Sequence, residues 1–170
     1  MSKEVNIEIN RNDQAAKTAS STQSGEKDNT IGVNTLSEED LYAREFELVL
    51  EGYMEFTQTY KAVSKQMMNP LKMRKNAGKI YEDLNRLSQK FNRIIHDFEN
   101  RAVPPADLKE IHEKALTSLA HFEVYNNEFP DLMLSGDFKR INQLSKGLEA
   151  GHRGIKEIFE ELEEREKQKS

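Results

Sequence analysis

The stretch YAREFELVLEGYMEFTQTYKAVSKQM, from Tyr42 to Met67, places an apolar residue at every fourth or third position. Because an α-helix turns once in about 3.6 residues, this spacing collects the apolar side chains on one helix face. Ser37 and the acidic residues after it supply an N-cap and favourable charge for the helix start. The sequence therefore predicts a first helix over 37–68, with this apolar stripe to bury: Tyr42, Phe46, Val49, Tyr53, Phe56, Tyr60, Val63 and Met67.

The Asn69-Pro70 pair ends this stripe, and a second stripe then begins in a different phase. An asparagine cap followed by proline at the first helical position predicts a tight turn and a second helix over 70–101. One continuous, kinked helix is the alternative. The second stripe consists of Met73, Ala77, Ile80, Leu84, Leu87, Phe91, Ile94 and Phe98.

Two further boundaries divide the rest of the chain. The PP motif at 104–105 disfavours helical geometry before it and opens a third helix, predicted over 105–134. Pro130 lies inside this segment and is expected to kink the helix or to end it early. The SGD motif at 135–137 combines a glycine C-cap with an aspartate N-cap and predicts a fourth helix over 137–167.

Four helices of similar length with short connections predict an all-α fold, an antiparallel up-down-up-down four-helix bundle over residues 37–167. A three-helix bundle without the first helix and an oligomeric coiled coil are the alternatives. Residues 1–36 are mostly polar and have little to bury, so they are predicted to be a disordered N-terminal tail.

Composition narrows the classes of function. The 170 residues are 36% hydrophobic and 32% charged, with a net charge of −5, which argues against nucleic-acid binding over the whole surface. The chain contains no cysteine, which excludes disulfides, thiolate zinc sites and cysteine nucleophiles within it. It has no apolar run typical of a signal peptide or a membrane span, so the expected location is the cytoplasm.

The segments VPPADLKEIHEKALTSLAHFE and SGDFKRINQLSKGLEAG resemble uncharacterised helical-bundle domains of Gram-positive bacteria, some of which belong to surface lipoproteins. The resemblance spans residues 81–162 and implies a bacterial helical bundle with no established activity. A lipoprotein location is not carried over, because the chain lacks a signal sequence and a lipid-bearing cysteine. The matching elements are Pro104, Pro105, Leu108, His112, Leu116 and the SGD motif.

The sequence predicts no catalytic residue, metal ligand or cofactor, so the protein is expected to be non-enzymatic. A di-iron bundle needs two Glu-x-x-His motifs, whereas the chain has only Glu149 to His152, both expected to be solvated. His112 and Asn126 interrupt the third stripe and are interpreted as buried polar residues, with a catalytic His112 as the alternative. That stripe contains Leu108, Ala115, Leu119, Phe122, Phe129 and Met133.

Basic residues gather at one end of the predicted bundle and form a candidate site for an anion or a partner. A solvated turn is the alternative. The absence of an aromatic residue from the run KMRKNAGK at 72–79 disfavours nucleic acid as the ligand. The candidate residues are Lys72, Arg74, Lys75, Lys79, Lys139 and Arg140.

These observations favour a protein–protein interaction module, a small helical adaptor or regulator that binds another protein or itself. The alternative hypothesis is a nucleic-acid-associated protein that binds through Lys72–Lys79.

Gly147, Gly151 and Gly154 share one face at the edge of the fourth stripe, whose phase they do not shift. Because each glycine costs about 0.8–1.0 kcal/mol of helix stability relative to alanine, a reason for them is expected. We interpret them as a site of close helix packing, against a bulky aromatic residue of the first or second helix, with a groove for a binding partner as the alternative. The fourth stripe is Ile141, Leu144, Leu148, Gly151, Ile155, Ile158 and Leu162.

Overall fold

A computed structural model of the chain describes residues 36–169, which form four long helices. This part of the chain contains no strand. The tail predicted over 1–36 lies outside the described residues, apart from Leu36. The helices are α1 (Glu38–Met67), α2 (Pro70–Arg101), α3 (Lys109–Ser135) and α4 (Phe138–Lys169), with a single 3-10 turn at Ala106–Leu108 before α3.

The helices pack as an antiparallel up-down-up-down four-helix bundle, which confirms the predicted fold class. The backbones of α1 and α2, of α2 and α3, and of α3 and α4 approach each other within 8 Å. Within residues 36–169, the Cα atoms of α1 and α4 nowhere come that close. The α1–α4 seam is therefore wider than the other three and is filled by side chains.

Local capping chemistry sets the helix ends where the sequence indicates. Ser37 Oγ accepts a hydrogen bond from the Asp40 N–H, and the Asp40 carboxylate accepts one from the Ser37 N–H, both at 3.1 Å. The hydrogen bonds from Ser37 lower the pKa of Asp40. Asn69 caps α2 by accepting from two backbone N–H groups. Gly136 ends α3 with a φ of 71°, and Asp137 accepts from the first turn of α4.

The core follows the predicted stripes, with two corrections. On α2, Ile95 is fully buried and Ile94 only partly, so Ile95 belongs to the stripe. On α3, Ile111 and Tyr125 are core residues that the predicted stripe omits, whereas His112 is half-buried rather than buried. In each helix, a residue next to the predicted one lies on the buried face. The stripe alone could not decide between the two, because residues three apart and residues four apart both lie on the same helix face.

The expected early end of α3 at Pro130 is wrong, because the helix continues through this residue to Ser135. Pro130 and its neighbour Phe129 are buried, so packing offsets the backbone hydrogen bond that a proline lacks. A non-helical residue occurs instead in α2, at Asn76, with φ −120° and ψ 15°. It produces a kink that separates the first turns of α2 from the rest of the helix.

Candidate functional site

His112, which interrupts the predicted third stripe, packs against side chains of α1 and α2. His112 Nδ1 lies 3.3 Å from Tyr42 Oη, and its ring packs against Phe98 with centroids 5.2 Å apart. Burial lowers the pKa of His112, against a smaller opposing effect of Glu113, so the neutral ring is favoured. The described contacts link α1 to α3 and include no nucleophile or carboxylate hydrogen-bonded to this ring.

His152 departs from the prediction of a solvated side chain. Its Nδ1 lies 2.7 Å from Tyr53 Oη, and its ring meets the edge of Phe122 with centroids 5.0 Å apart. Burial lowers the pKa of His152. The side chain therefore fills the α1–α4 seam. In residues 36–169, no group of three or more His, Cys, Asp or Glu side chains is arranged to hold a metal ion.

Asn126 is buried between α2 and α3, at 3% exposure. Its Nδ2 donates to Asn92 Oδ1 at 2.9 Å, and Asn92 in turn donates to Asn127 at 2.8 Å. Asn126 Oδ1 has no hydrogen-bond partner within the described residues. The amide row runs from the buried Asn126 through the half-buried Asn92 to the exposed Asn127, and the cost of burying Asn126 is offset only by the bonds that it makes.

The glycines of α4 face α3, not the first or second helix. A Cβ on Gly151 would lie 2.8 Å from Phe122 Cε2 and 3.0 Å from the Ser118 carbonyl oxygen. A Cβ on Gly154 would overlap the Ser118 hydroxyl. A Cβ on Gly147 would meet only His121 Nδ1, at an ordinary 3.7 Å. The site is thus a close helix contact at two of the three glycines. A surface hollow of about 540 Å³ adjoins it, with Ser118, His121 and Gly154 in its lining.

The predicted basic residues lie at the end of the bundle that carries the α1–α2 and α3–α4 turns. We call this end, formed by residues 65–79 and 134–139, the basic tip. Arg140 is not available there, because its Nε and Nη2 clamp the Glu128 carboxylate at 2.7 and 2.5 Å. Among the described residues, none of the following has a carboxylate within 4.0 Å: Lys65, Lys72, Arg74, Lys75, Lys79 and Lys139.

The basic tip also carries exposed apolar side chains, of which Leu71 and Phe138 were not expected from the sequence. Met68 is 84% exposed, while Leu71 and Phe138 are each 81% exposed. Phe138 directly precedes Lys139, so an exposed aromatic residue does accompany the basic residues. It lies next to the α3–α4 turn, however, and not in the run at 72–79. The sequence does indicate these side chains, because each is an apolar residue within two positions of a helix cap and belongs to none of the predicted apolar stripes.

A second surface runs along the outer side of α1 and α2, and we call it the α1–α2 groove. Three adjoining hollows of about 340 to 370 Å³ form it. Gly52 lies at its middle, where a Cβ would come within 2.7 Å of Ile94 Cδ1. Large apolar side chains remain exposed along it: Leu41 at 51%, Leu48 at 54% and Val103 at 75%.

The charges that line this groove are mainly acidic. Lys90 binds Glu55 at 2.6 Å, and Arg101 lies 3.4 Å from Asp97, so these cations are already paired. Arg86 is a lining cation without such a partner among the described residues. The lining carboxylates without a basic partner there are Glu38, Glu45, Glu51 and Asp83.

Comparisons with known proteins return no relative of this chain. No protein-family model, curated protein or solved structure matches it. Residues 36–169 include no helix long and apolar enough to cross a membrane. The resemblance to helical domains of Gram-positive bacteria stays a prediction. The basic tip and the α1–α2 groove are the two candidate binding surfaces of the described residues.

Proposed function

We propose that this protein is a non-enzymatic protein–protein interaction module whose α1–α2 groove binds an amphipathic helix of a partner protein. The observation that carries the proposal is the exposed apolar row along the groove. Leu41 and Leu48 lie seven residues apart on α1, and Val103, after the end of α2, lines the same hollow as Leu41. Partner helices in such grooves present apolar anchors at the same helical spacing, so the two rows match in period.

The dimensions of the groove suit one helix. Its α1 wall extends from Glu38 to Val63, which corresponds to about 38 Å at 1.5 Å per residue. A partner helix of about 20 residues, about 30 Å long, covers most of this length. The floor is supplied by core side chains that reach the surface, among them Ile94 and Phe98. The partner therefore covers apolar surface over several turns rather than at one point.

The unpaired carboxylates along the groove select a basic partner. Complementary charge speeds association and rejects partners of the wrong sign more than it adds affinity. A twofold dimer of this chain through the same groove would bring two acidic walls together. Charge therefore favours a different protein, with Lys or Arg flanking its apolar stripe, over a second copy.

A selection experiment tests this function without knowledge of the partner. Random 20-residue peptides are displayed and selected on the full chain, then counter-selected on the Leu48→Arg variant. We expect enrichment of basic amphipathic helices whose binding weakens about tenfold or more in Leu48→Arg, because a central anchor contact is lost. Val124→Arg is the matched control, since Val124 is 49% exposed on α3, away from the groove.

Two results would contradict the proposal. One is that selected peptides bind wild type and Leu48→Arg equally well, while Val124→Arg removes binding. The other is that wild type dimerises in sedimentation equilibrium and Leu48→Arg is monomeric, which assigns the groove to a second copy. Circular dichroism of both variants verifies that each keeps its helices.

A further inference from the structure

The three most exposed large apolar side chains of the described residues all lie on the basic tip. Met68 lies in the α1–α2 turn, and Leu71 follows it in the first turn of α2. Phe138 is the first residue of α4, and Leu134, at 57% exposure, lies at the end of α3, so both flank the α3–α4 turn. Both turns cover the same end of the core. Beneath them, these partly buried side chains pack on the core: Met67, Met73, Leu132 and Met133.

Positive charge surrounds these side chains and is not neutralised by the fold. Between residues 65 and 79 the chain has five basic residues and no acidic one. The carboxylates near the α3–α4 turn are already engaged. Glu128 holds Arg140, Asp131 accepts from the Tyr81 hydroxyl at 3.0 Å, and Asp137 caps α4. Asp131 and Asp137 keep their negative charge, but no carboxylate of the described residues lies within 4.0 Å of a tip lysine, so these lysines are not ion-paired and the tip is net positive.

The apolar side chains of the tip protrude into solvent at 57–84% exposure. None of the four lines any of the main surface hollows among residues 36–169. A protein partner would need a complementary cavity for each of them, whereas a fluid interface accepts protruding side chains without one. Nucleic acid stacks on aromatic rings and has no comparable use for exposed Met and Leu side chains. The headgroup region of a bilayer accepts aromatic and aliphatic side chains together with lysines.

We propose that the basic tip docks the bundle end-on onto an anionic membrane surface. Met68, Leu71 and Phe138 enter the headgroup region, and the surrounding lysines contact lipid phosphates. The opposite end of the bundle carries a run of glutamates between 157 and 166 in α4, which the same surface repels. Charge therefore orients the bundle with its long axis pointing away from the membrane. The α1–α2 groove runs along the side of the bundle, parallel to this axis. This surface is separate from the groove of the proposed function.

Vesicle binding tests the proposal on the full chain. Co-sedimentation is measured with vesicles of phosphatidylcholine mixed with phosphatidylglycerol, and with vesicles of phosphatidylcholine alone. We expect binding to the anionic vesicles only, weakening as salt rises. Leu71→Ser and Lys72→Glu should each reduce that binding about tenfold or more, because one removes buried apolar area and the other reverses a contact charge.

Matched variants separate this surface from the groove. Leu48→Ser removes an exposed leucine of the α1–α2 groove, and Lys156→Glu reverses an exposed lysine in α4 outside the tip. Both should bind anionic vesicles as wild type does. The loss of peptide binding without loss of vesicle binding, or the reverse, shows which of the two proposals fails.

A fluorescent probe tests insertion directly, because the chain has no cysteine and accepts a single introduced one. Leu71→Cys labelled with an environment-sensitive dye should shift its emission to the blue on anionic vesicles, and labelled Leu48→Cys should not. The proposal is overturned by absent vesicle binding, or by binding without a shift at position 71. It is equally overturned if duplex or single-stranded DNA, and not vesicles, is the ligand lost in Lys72→Glu.

Discussion

At the scale of single residues, Gly147 and Gly151 look alike in the sequence but have different neighbours. Gly151 faces Phe122, a core ring at 0% exposure, and the backbone carbonyl of Ser118. Neither atom is the end of a flexible side chain. Gly147 has only the His121 ring near it, at an ordinary contact distance. The same substitution should therefore have opposite effects at the two positions.

We expect Gly151→Ala to lower the free energy of unfolding and Gly147→Ala to raise it. Overpacking costs about 1–3 kcal/mol, which exceeds the helix-propensity gain of about 0.8–1.0 kcal/mol at Gly151. At Gly147 only the propensity gain remains. Thermal unfolding followed by circular dichroism measures both, and a raised Tm for Gly151→Ala would show that the α3–α4 contact is looser than described.

The two half-buried histidines predict a loss of stability on mild acidification. Burial lowers the pKa of His112 and of His152 in the folded state. Below the ordinary histidine pKa of about 6.5, these two side chains therefore bind protons more readily in the unfolded chain than in the folded one. Stability is therefore full above that pH and falls as the pH decreases through it. Carboxylates whose folded-state pKa is lowered, such as Glu161, lose their contribution at more acidic pH.

Replacement of both histidines by glutamine should flatten the dependence of urea stability on pH between about 7.5 and 5.5. Glutamine keeps a polar group that can reach Tyr42 or Tyr53 but takes up no proton. An unchanged slope in the double variant would mean that other groups cause the acid sensitivity. A steeper slope would mean that the histidines gain protons on folding, contrary to their burial.

At the scale of elements, tyrosine side chains of α1 reach α3 and α4, the two helices whose Cα atoms nowhere come within 8 Å of those of α1. Tyr60 and Tyr125 share a hydrogen bond of 2.5 Å between α1 and α3. Tyr125 is 2% exposed, whereas Tyr60 is half-buried. Burial raises the pKa of both phenols, so each stays neutral. The pair ties α1 to α3 through one buried polar contact.

We expect Tyr60→Phe to cost about 1–3 kcal/mol of stability, because it leaves the buried Tyr125 hydroxyl without a partner. Tyr125→Phe should cost less, since Tyr60 is only half-buried whereas Tyr125 is buried. The double variant should be more stable than Tyr60→Phe alone, because it leaves no orphaned hydroxyl. Urea denaturation of all three measures this, and strictly additive losses would exclude the coupling.

How far the sequence predicted each element depended on whether the cause was local. The Asn69-Pro70 turn and the Gly136 cap follow from chemistry within a few residues, and both were predictable. The bounds of α3 were predicted across Pro130, but the effect of that proline on the helix depends on packing by other helices and was left open between a kink and an early end. Of the two candidate surfaces, the basic residues of the tip were predicted, whereas the exposure of Leu71 and Phe138 and the α1–α2 groove were not. Leu48 lies off the stripe of α1, and only the position of α2 turns it into part of a groove.

At the scale of the whole bundle, packing is uneven around its four sides. The α3 helix approaches both α2 and α4 within 8 Å, and α2 likewise lies between α1 and α3. Within the described residues, α1 and α4 have a close backbone neighbour on one side only. Their shared seam is bridged by side chains such as Tyr53 and His152, whose hydrogen bond spans it. The bundle thus has two inner and two outer helices.

This difference predicts an order of opening in native-state hydrogen exchange. Helices with fewer close neighbours open at lower free energy than the global transition, so α1 and α4 should exchange before α3. The most protected amides should lie in α3 around Leu119 and Phe122, both at 0% exposure.

Tyr53→Phe should widen the difference in opening free energy between α1 and α3, because it removes the hydrogen bond to His152 across the seam. Exchange measured by mass spectrometry over increasing urea resolves the order. Equal opening free energies in all four helices would mean that the wide seam does not weaken the bundle, and the Tyr53→Phe effect would then be absent as well.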